Sequence, residues 1–195
     1  MSPASESQTE KQVFIIDDDP GMRIWLTSLF SSVGLPATAF NSTAEFREAS
    51  KSDVPTCLVL DVHLPGTSGL DFQAELAKAK SLLPIIFITG RGDISMSVRA
   101  MKAGAVEFLT KPFRDQDLLD AVRFGLDLDS TRRDRDRMLA KVRSAYETLT
   151  PREKQVFPLV ATGLMNKQIA ATLGVSEITV KVHRGNVMRK MGART

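Results

Sequence analysis

The sequence predicts an α/β domain built on a doubly wound, five-stranded parallel sheet, followed by an all-α domain, with a long helical linker between them. Three observations lead to this prediction. Five short apolar runs alternate with amphipathic stretches in the first 127 residues, as βαβ units require. A helical pattern then continues, almost without a break, from residue 114 to residue 149, with apolar residues at helical spacing on either side of a mixed-charge segment. After residue 149, short helical segments follow one another with no strand between them.

The predicted strands are short apolar runs, and several helix starts carry capping signals. The strands are Val13–Ile16, Ala37–Phe40, Cys57–Leu60, Ile85–Ile88 and Val106–Leu109. Asp19-Pro20 combines an N-cap with proline at the first helical position, and Ser42–Glu45 has the spacing of a capping box. Asp93 caps a further helical pattern that Gly104 ends.

The C-terminal part begins with Thr150–Glu153, a helix start with proline at its first position. A short helix is predicted at Lys167–Leu173, a tight turn at Gly174–Ser176 and a final helix at Glu177–Met191. A short helix, a turn containing glycine and a basic helix form the pattern of a helix-turn-helix. We therefore expect a disordered tail over residues 1–11, an α/β domain over 12–127, a helical linker with solvated mixed charges over 128–148, and a helix-turn-helix domain over 149–195.

Charge is distributed unevenly along the chain. Residues 1–127 carry a net charge of −5 and residues 128–195 carry +8, within an overall charge of +3. An acidic part joined to a basic part suggests a regulatory or catalytic module beside one that meets a polyanion, although chance surface charge is the ordinary alternative. The single cysteine, Cys57, lies in an apolar run and is expected to be a buried thiol. Neither a signal peptide nor a membrane-spanning run is found, so we expect a soluble protein of a reducing compartment.

Charged and hydroxyl side chains stand at the ends of four predicted strands. Asp17-Asp18 follows the first strand, Asp61 the third, Thr89 the fourth and Lys111 the fifth. Because the carboxyl ends of parallel strands meet at one crevice, we expect these residues to share a site. Crowded carboxylates repel one another unless a cation lies among them, and all-oxygen ligation suits Mg²⁺. The sequence therefore predicts a site for Mg²⁺ and an anion, with Asp61 as nucleophile toward a phosphoryl donor.

Each of these residues has an ordinary alternative when taken alone. Asp18 could cap a helix, Lys111 could be a surface lysine and Thr89 could begin a turn. In the predicted site, Asp18 and Asp61 ligate Mg²⁺ directly, and Asp17 acts through water or orients the site. Lys111 and Thr89 contact the phosphoryl oxygens, and the proline after Lys111 permits a cis peptide bond. Their occurrence together at the ends of different strands favours the joint function.

These motifs resemble those of a response-regulator receiver domain. The matching residues are Asp17-Asp18, Asp61 with Pro65-Gly66 and Gly69, Thr89, Phe108 and Lys111-Pro112-Phe113. The resemblance covers residues from about 13 to 127 and implies a flavodoxin-like fold and phosphorylation of Asp61 by a partner histidine kinase. It also implies Mg²⁺ held by Asp18, Asp61 and the main-chain carbonyl of His63, whose ring then faces solvent. Thr89 would move toward the phosphate and Phe108 would turn inward as the switch, although a plain core phenylalanine is the alternative.

Residues 150–195 resemble the LuxR-type helix-turn-helix of NarL/FixJ response regulators, in the FixJ-like branch. The matching stretches are Leu149–Glu153, Gly163-Leu164, Asn166–Ala170 and Thr179–His183. The resemblance implies that the helix over residues 177–191 enters the major groove of DNA. The implied base-edge residues are Lys181, Val182 and Gly185, and the implied phosphate-contacting residues are Lys167, Thr179 and Arg184. His183 is expected to pack or to contact phosphate rather than to bind a metal.

Two features depart from the family pattern. Gly185 stands where the family usually carries a polar or basic side chain, which removes one base contact and costs about 1 kcal/mol of helix stability relative to alanine. The sequence ends at Gly192–Thr195, where the family continues into a fourth helix. A missing C-terminal helix is expected to weaken the helical core and its dimerisation. The residues expected in that core are Ile169, Val180, Val187 and Met191.

The combined resemblance implies a phosphorylation-controlled transcription regulator of the bacterial cytoplasm, which is no enzyme beyond its own phosphoryl chemistry. Phosphorylation is expected to promote homodimerisation and binding to two half-sites of double-stranded DNA, with RNA polymerase as a candidate partner. One alternative is a metal-dependent phosphohydrolase, which would need a general acid where His63 stands and would leave the basic part unexplained. Another is a DNA-binding protein whose receiver pairs constitutively, against which the intact set of site residues argues.

Overall fold

The computed structural model describes residues 11–49 and 53–193. The tail predicted over residues 1–11 therefore lies outside the described residues, apart from Lys11. The chain divides into two compact units, residues 1–133 and 134–195, and each is described by itself. Within the described ranges, no helix is both long and apolar enough to cross a membrane.

The first unit contains a five-stranded parallel sheet, which confirms the predicted fold class. Its strands are β1 (Gln12–Ile16), β2 (Ala37–Phe40), β3 (Thr56–Asp61), β4 (Ile85–Thr89) and β5 (Glu107–Thr110). They pair in the order β2-β1-β3-β4-β5. The register places Asp61 beside Ile88 and Thr89 beside Thr110, so the ends of β3, β4 and β5 lie next to one another. This edge of the sheet carries the predicted site.

Four helices alternate with the strands, and a fifth follows β5. They are α1 (Pro20–Ser32), α2 (Thr43–Glu48), α3 (Gly69–Lys78), α4 (Ile94–Lys102) and α5 (Asp115–Glu147). Asp19, Ser42 and Asp93 cap helices as predicted, because each side chain accepts a backbone N–H of the first turn. The predicted capping box at Ser42–Glu45 is only half formed. The Glu45 carboxylate accepts the N–H of Asn41 rather than that of Ser42.

The core of the first unit lies on both faces of the sheet, as the continuous apolar runs of β3 and β4 predict. One face packs under α1 and α5, with Leu26, Phe30 and Val122 fully buried. Cys57 belongs to this face, and its sulfur lies where a side chain at Gly125 would have to fit. Burial, together with the charge of Asp129, raises the pKa of the Cys57 thiol. The thiol is therefore a structural group, as the sequence indicates.

Helix α5 runs without interruption over 33 residues and includes most of the predicted linker. Asp129, just beyond the predicted end of the α/β domain, is buried and accepts the backbone N–H of Thr56 at 2.9 Å. Arg133 Nε donates to the same carboxylate at 2.6 Å, and Arg132 also pairs with it. These two arginines are half-buried, so the linker charges nearest the sheet are not solvated as expected. The first compact unit correspondingly extends to Arg133.

The second unit is entirely helical among its described residues. Its remaining helices are α6 (Pro151–Ala161), α7 (Asn166–Leu173) and α8 (Glu177–Lys190), and Val156, Ile169, Val180 and Val187 are buried. Met191, expected in the core, is only half-buried. A complete capping box joins Thr150 and Glu153 at the start of α6. The Glu153 carboxylate also accepts Lys190 Nζ at 2.6 Å, which ties the start of α6 to the end of α8.

Candidate metal centre and nucleic-acid interface

Three carboxylates meet at the carboxyl ends of β1 and β3. One oxygen from each of Asp17, Asp18 and Asp61 lies within 4.8 Å of the others. Asp17 and Asp61 are buried, whereas Asp18 is exposed. Such a set of hard oxygen donors at one crevice fits a divalent cation such as Mg²⁺, which binds one or two carboxylates and keeps several waters. The sequence prediction that these three residues share a site agrees with this geometry.

Lys111 reaches the same crevice from the end of β5. Its ammonium lies 2.9 Å from Asp17 Oδ2 and 2.7 Å from Asp61 Oδ2. Burial alone would lower the pKa of Lys111, but hydrogen bonds to Asp61 and Asp17 outweigh it and raise the pKa. Burial raises the pKa of Asp17, and the hydrogen bond from Lys111 opposes that rise. The Lys111–Pro112 peptide bond is cis, as the sequence permits.

Thr89 is the last residue of β4 and is fully buried. Its hydroxyl oxygen accepts the N–H of Arg91 at 3.2 Å. The same oxygen lies 3.1 Å from Nδ1 of His63, although sequence reasoning left the His63 ring as a solvent-facing group. His63 is exposed overall, and its backbone N–H donates to Asp61 Oδ1 at 2.8 Å. Its position two residues after Asp61, beside the end of the neighbouring strand, is the one sequence signal for this contact.

Phe108, the other predicted switch residue, is half-buried beside Phe87, with 6.2 Å between ring centroids. The loop after β4 passes very close to it. A Cβ atom at Gly92 would lie 2.9 Å from both Phe108 Cε1 and Thr89 Cγ2. A side chain at position 92 would therefore displace one or both of the predicted switch side chains, which border the same backbone.

Gly69 is a second glycine that the site requires. It is the first residue of α3, and a Cβ atom there would overlap the carbonyl oxygen of Asp61. The N–H of Gly69 donates to the carbonyl of Val62 at 2.9 Å. The end of β3 and the start of α3 thus lie directly against each other, which fixes the backbone that carries Asp61.

On the second unit, the residues predicted to contact DNA lie on α7 and α8. Five of them are exposed: Lys167, Thr179, Lys181, Val182 and Gly185. A Cβ atom at Gly185 would have no neighbour within 4 Å, so its backbone is open on that side. Two of these five residues are lysines, Lys167 on α7 and Lys181 on α8, and the five together are called the basic face below.

Arg184 and His183 differ from this exposed set. The Arg184 guanidinium donates to the carbonyl of Leu164 at 3.0 Å and to Asn166 Oδ1 at 3.3 Å. This half-buried side chain ties α8 to the loop before α7, a role that sequence reasoning missed. His183 is also half-buried, and its Nδ1 has no hydrogen-bond partner among the residues that the structure describes. Of the two roles expected for His183, packing and phosphate contact, this environment fits packing.

Comparison with known proteins gives a family to each unit. A response regulator receiver domain model matches residues 13–123. A model of bacterial regulatory proteins of the luxR family matches residues 147–195. Nodulation protein W of Bradyrhizobium diazoefficiens is 58% identical over 191 residues, which span 98% of this chain and 84% of that protein. Response regulator protein TodT of Pseudomonas putida is 46% identical, over 92% of this chain and 79% of its own length.

Comparison with solved structures also matches this chain to response regulators. The response regulator StyR aligns with a TM-score of 0.87 at 46% identity, covering 95% of this chain and 94% of that one. Full-length FixJ from B. japonicum aligns with a TM-score of 0.59 at 35% identity, covering 96% and 92%. The relatives are thus matched over both units rather than over one. The chain belongs to the response regulators of the NarL/FixJ family, with a receiver domain and a LuxR-type DNA-binding domain.

Proposed function

We propose that Asp61 is the residue that accepts a phosphoryl group, and that a sensor histidine kinase supplies it. The observation that carries this proposal is the position of Lys111 Nζ, within 2.9 Å of Asp17 and 2.7 Å of Asp61 in the same crevice. A carboxylate is a weak nucleophile toward a negatively charged phosphoryl group. A cation beside it lowers the electrostatic cost of bringing the two together.

In the proposed transfer, an Asp61 carboxylate oxygen forms the new bond to phosphorus. The P–N bond of the donor phosphohistidine breaks, and its electron pair leaves with the imidazole nitrogen. Lys111 then holds a phosphoryl oxygen, and the Thr89 hydroxyl donates to another. Asp18, Asp61 and the carbonyl of His63 are the proposed direct Mg²⁺ ligands, and Asp17 would act on the ion through water or orient the site. When bound, Mg²⁺ would neutralise charge on the phosphoryl oxygens.

The proposed conformational response begins at Thr89 and Phe108. Thr89 would move toward the phosphoryl group, and the Phe108 ring would turn inward. Gly92 supports this coupling, because its backbone borders both side chains so closely that a Cβ would lie 2.9 Å from each. A small shift of Thr89 would therefore move the β4–α4 loop and the Phe108 ring together.

We propose further that phosphorylation promotes homodimerisation and that the paired effector units bind two DNA half-sites in the cytoplasm. Lys181, Val182 and Gly185 would face base edges, while Lys167, Thr179 and Arg184 would contact phosphates. RNA polymerase is a candidate partner, and no catalysis beyond the chain's own phosphorylation and dephosphorylation is proposed. The proposed boundaries remain residues 12–127 for the receiver, 128–148 for the linker and 149–195 for the effector domain.

The test is the intact mass of the full chain after incubation with Mg²⁺ and acetyl phosphate. One added phosphoryl group is expected in the wild type and none in Asp61→Asn, and DNA binding is then compared between the two states. Phosphorylation elsewhere, or DNA binding by Asp61→Asn as tight as that of phosphorylated wild type, would contradict the proposal. The second outcome would instead favour a receiver that pairs constitutively.

A further inference from the structure

The contact between His63 and Thr89 joins the loop after β3 to the last residue of the neighbouring strand β4. His63 stands after β3 and Thr89 ends β4, with 3.1 Å between Nδ1 and the hydroxyl oxygen. Thr89 is fully buried, and its oxygen already accepts the N–H of Arg91. A hydroxyl has one proton to donate. If the Thr89 hydroxyl donates that proton to a partner in the resting state, it cannot donate it to a phosphoryl oxygen at the same time.

We infer that His63 is a positioning residue that holds Thr89 in its unphosphorylated place and competes with the phosphoryl group for the Thr89 hydroxyl. The inference rests on the proposed function of Asp61 and Thr89. If Nδ1 is unprotonated, the hydroxyl donates its single proton to the ring. If Nδ1 carries a proton, the ring donates to the hydroxyl oxygen. In both cases the contact is lost when Thr89 moves toward the phosphoryl group.

A contact that exists in only one of two conformations shifts the equilibrium toward that conformation. The His63 ring would therefore favour the resting receiver. The net contribution of a neutral hydrogen bond corresponds to a change of roughly threefold to tenfold in an equilibrium constant. The backbone of His63 is held independently of its ring, because its N–H donates to Asp61 Oδ1 at 2.8 Å. Changing the ring should thus leave the backbone near Asp61 in place.

The side chain can be changed with a matched pair of substitutions. His63→Leu removes the polar atom at the Nδ1 position with little change of size. His63→Asn places an amide oxygen or nitrogen at that position and can restore the contact. The probe is beryllofluoride with Mg²⁺, which mimics the phosphoryl group on Asp61 and draws Thr89 to itself. Its affinity for the full chain is measured by ¹⁹F NMR, and Mg²⁺ affinity alone is measured in parallel.

At Mg²⁺ concentrations that saturate each variant, His63→Leu is expected to bind beryllofluoride roughly threefold to tenfold more tightly than the wild type. His63→Asn should return toward the wild-type value. In a Thr89→Val background, the difference between His63 and His63→Leu should disappear, because the hydroxyl is absent. A merely structural role for His63 would instead weaken the binding of both Mg²⁺ and beryllofluoride.

Two other results would overturn the inference, and they differ in what else they overturn. Equal beryllofluoride affinities for wild type and His63→Leu would remove the role of the ring while leaving Asp61 as the phosphorylation site. Failure of the wild type itself to bind beryllofluoride would overturn the proposed function, and this inference would fall with it. A difference that persists with Thr89→Val would show that the ring acts on something other than the hydroxyl.

Discussion

The acidic crevice of the receiver and the basic face of α8 are built in opposite ways. In the crevice, Lys111 Nζ donates to Asp17 at 2.9 Å and to Asp61 at 2.7 Å, and both carboxylates are buried. On α8, Lys181 and Val182 are exposed. The crevice therefore holds its geometry before any ligand arrives. The basic face relies on the rigid helix beneath it, and its contacts are defined only when a polyanion is present.

The largest expected effect tests the crevice directly. Lys111→Met removes the cation between Asp17 and Asp61, so the rate of phosphorylation by acetyl phosphate should fall about a hundredfold. Mg²⁺ affinity should rise, because the ammonium no longer competes for the same carboxylates. Rate by intact mass and affinity by fluorescence of Trp25 would check the two opposite changes. Lys78→Met, an exposed lysine on α3, is the matched control, and a loss of Mg²⁺ affinity with Lys111→Met would contradict the argument.

The next effect compares two glycines, one in each region. Gly69→Ala places a Cβ against the carbonyl oxygen of Asp61 and should lower the free energy of unfolding of the receiver by about 2–3 kcal/mol. Gly185→Ala meets nothing within 4 Å and should stabilise the effector unit by about 0.5–1 kcal/mol, because alanine favours the helix. Urea unfolding followed by Trp25 fluorescence measures the first, and hydrogen exchange of α8 measures the second. Equal changes in stability for Gly69→Ala and Gly185→Ala would show that the backbone is packed equally closely at the two glycines.

A third effect separates the two kinds of contact proposed for the basic face. Lys167→Gln should reduce the slope of log affinity against log salt by about 1 on any DNA duplex, because one phosphate contact is lost. Lys181→Gln should instead change which sequences the protein selects from a random pool, at a cost of about 1–3 kcal/mol on the preferred site. If both substitutions alter only the salt slope, α8 does not read base edges through Lys181.

The smallest effect concerns an internal ion pair of the effector unit. Hydrogen bonds from Lys190 and from the N–H of Thr150 lower the pKa of Glu153 to about 2. Since the unfolded-state pKa of glutamate is about 4.3, this stabilisation is fully present above that pH and is lost as the pH falls toward 2. Hydrogen exchange of α6 and α8 should therefore show weaker protection between pH 4 and pH 2. Glu153→Gln should flatten that dependence, and an unchanged slope would exclude Glu153 as its source.

The parts of this molecule that the sequence predicts are those set by local pattern. The strands that precede Asp17 and Asp61 are continuous apolar runs, and Lys111 follows a shorter apolar segment at the end of the fifth strand. Parallel pairing brings the carboxyl ends of these strands together. Helix starts at Asp19 and Asp93 were predictable because the cap and its N–H partner lie within three residues of each other.

The remaining features depend on residues that are distant in the chain. Asp129 is buried because it meets the backbone of Thr56, 73 residues earlier, and nothing near Asp129 indicates this. The contact of His63 with Thr89 likewise depends on how the loop after β3 lies against the end of the neighbouring strand β4. From the sequence alone, the Arg184 side chain could equally point into solvent. It donates to Leu164 and Asn166 because α8 packs against the loop before α7, and that packing involves residues about 20 positions earlier.

The surroundings of Cys57 have a practical consequence for labelling. It is the only cysteine of the chain, it is fully buried, and its pKa is raised, so little reactive thiolate exists in the native protein. A cysteine introduced on the surface, for example at Gly185, can therefore be coupled to a dye without first removing Cys57. The same thiol becomes accessible only when the receiver core unfolds. The rate at which Cys57 is alkylated therefore reports how often the receiver core opens.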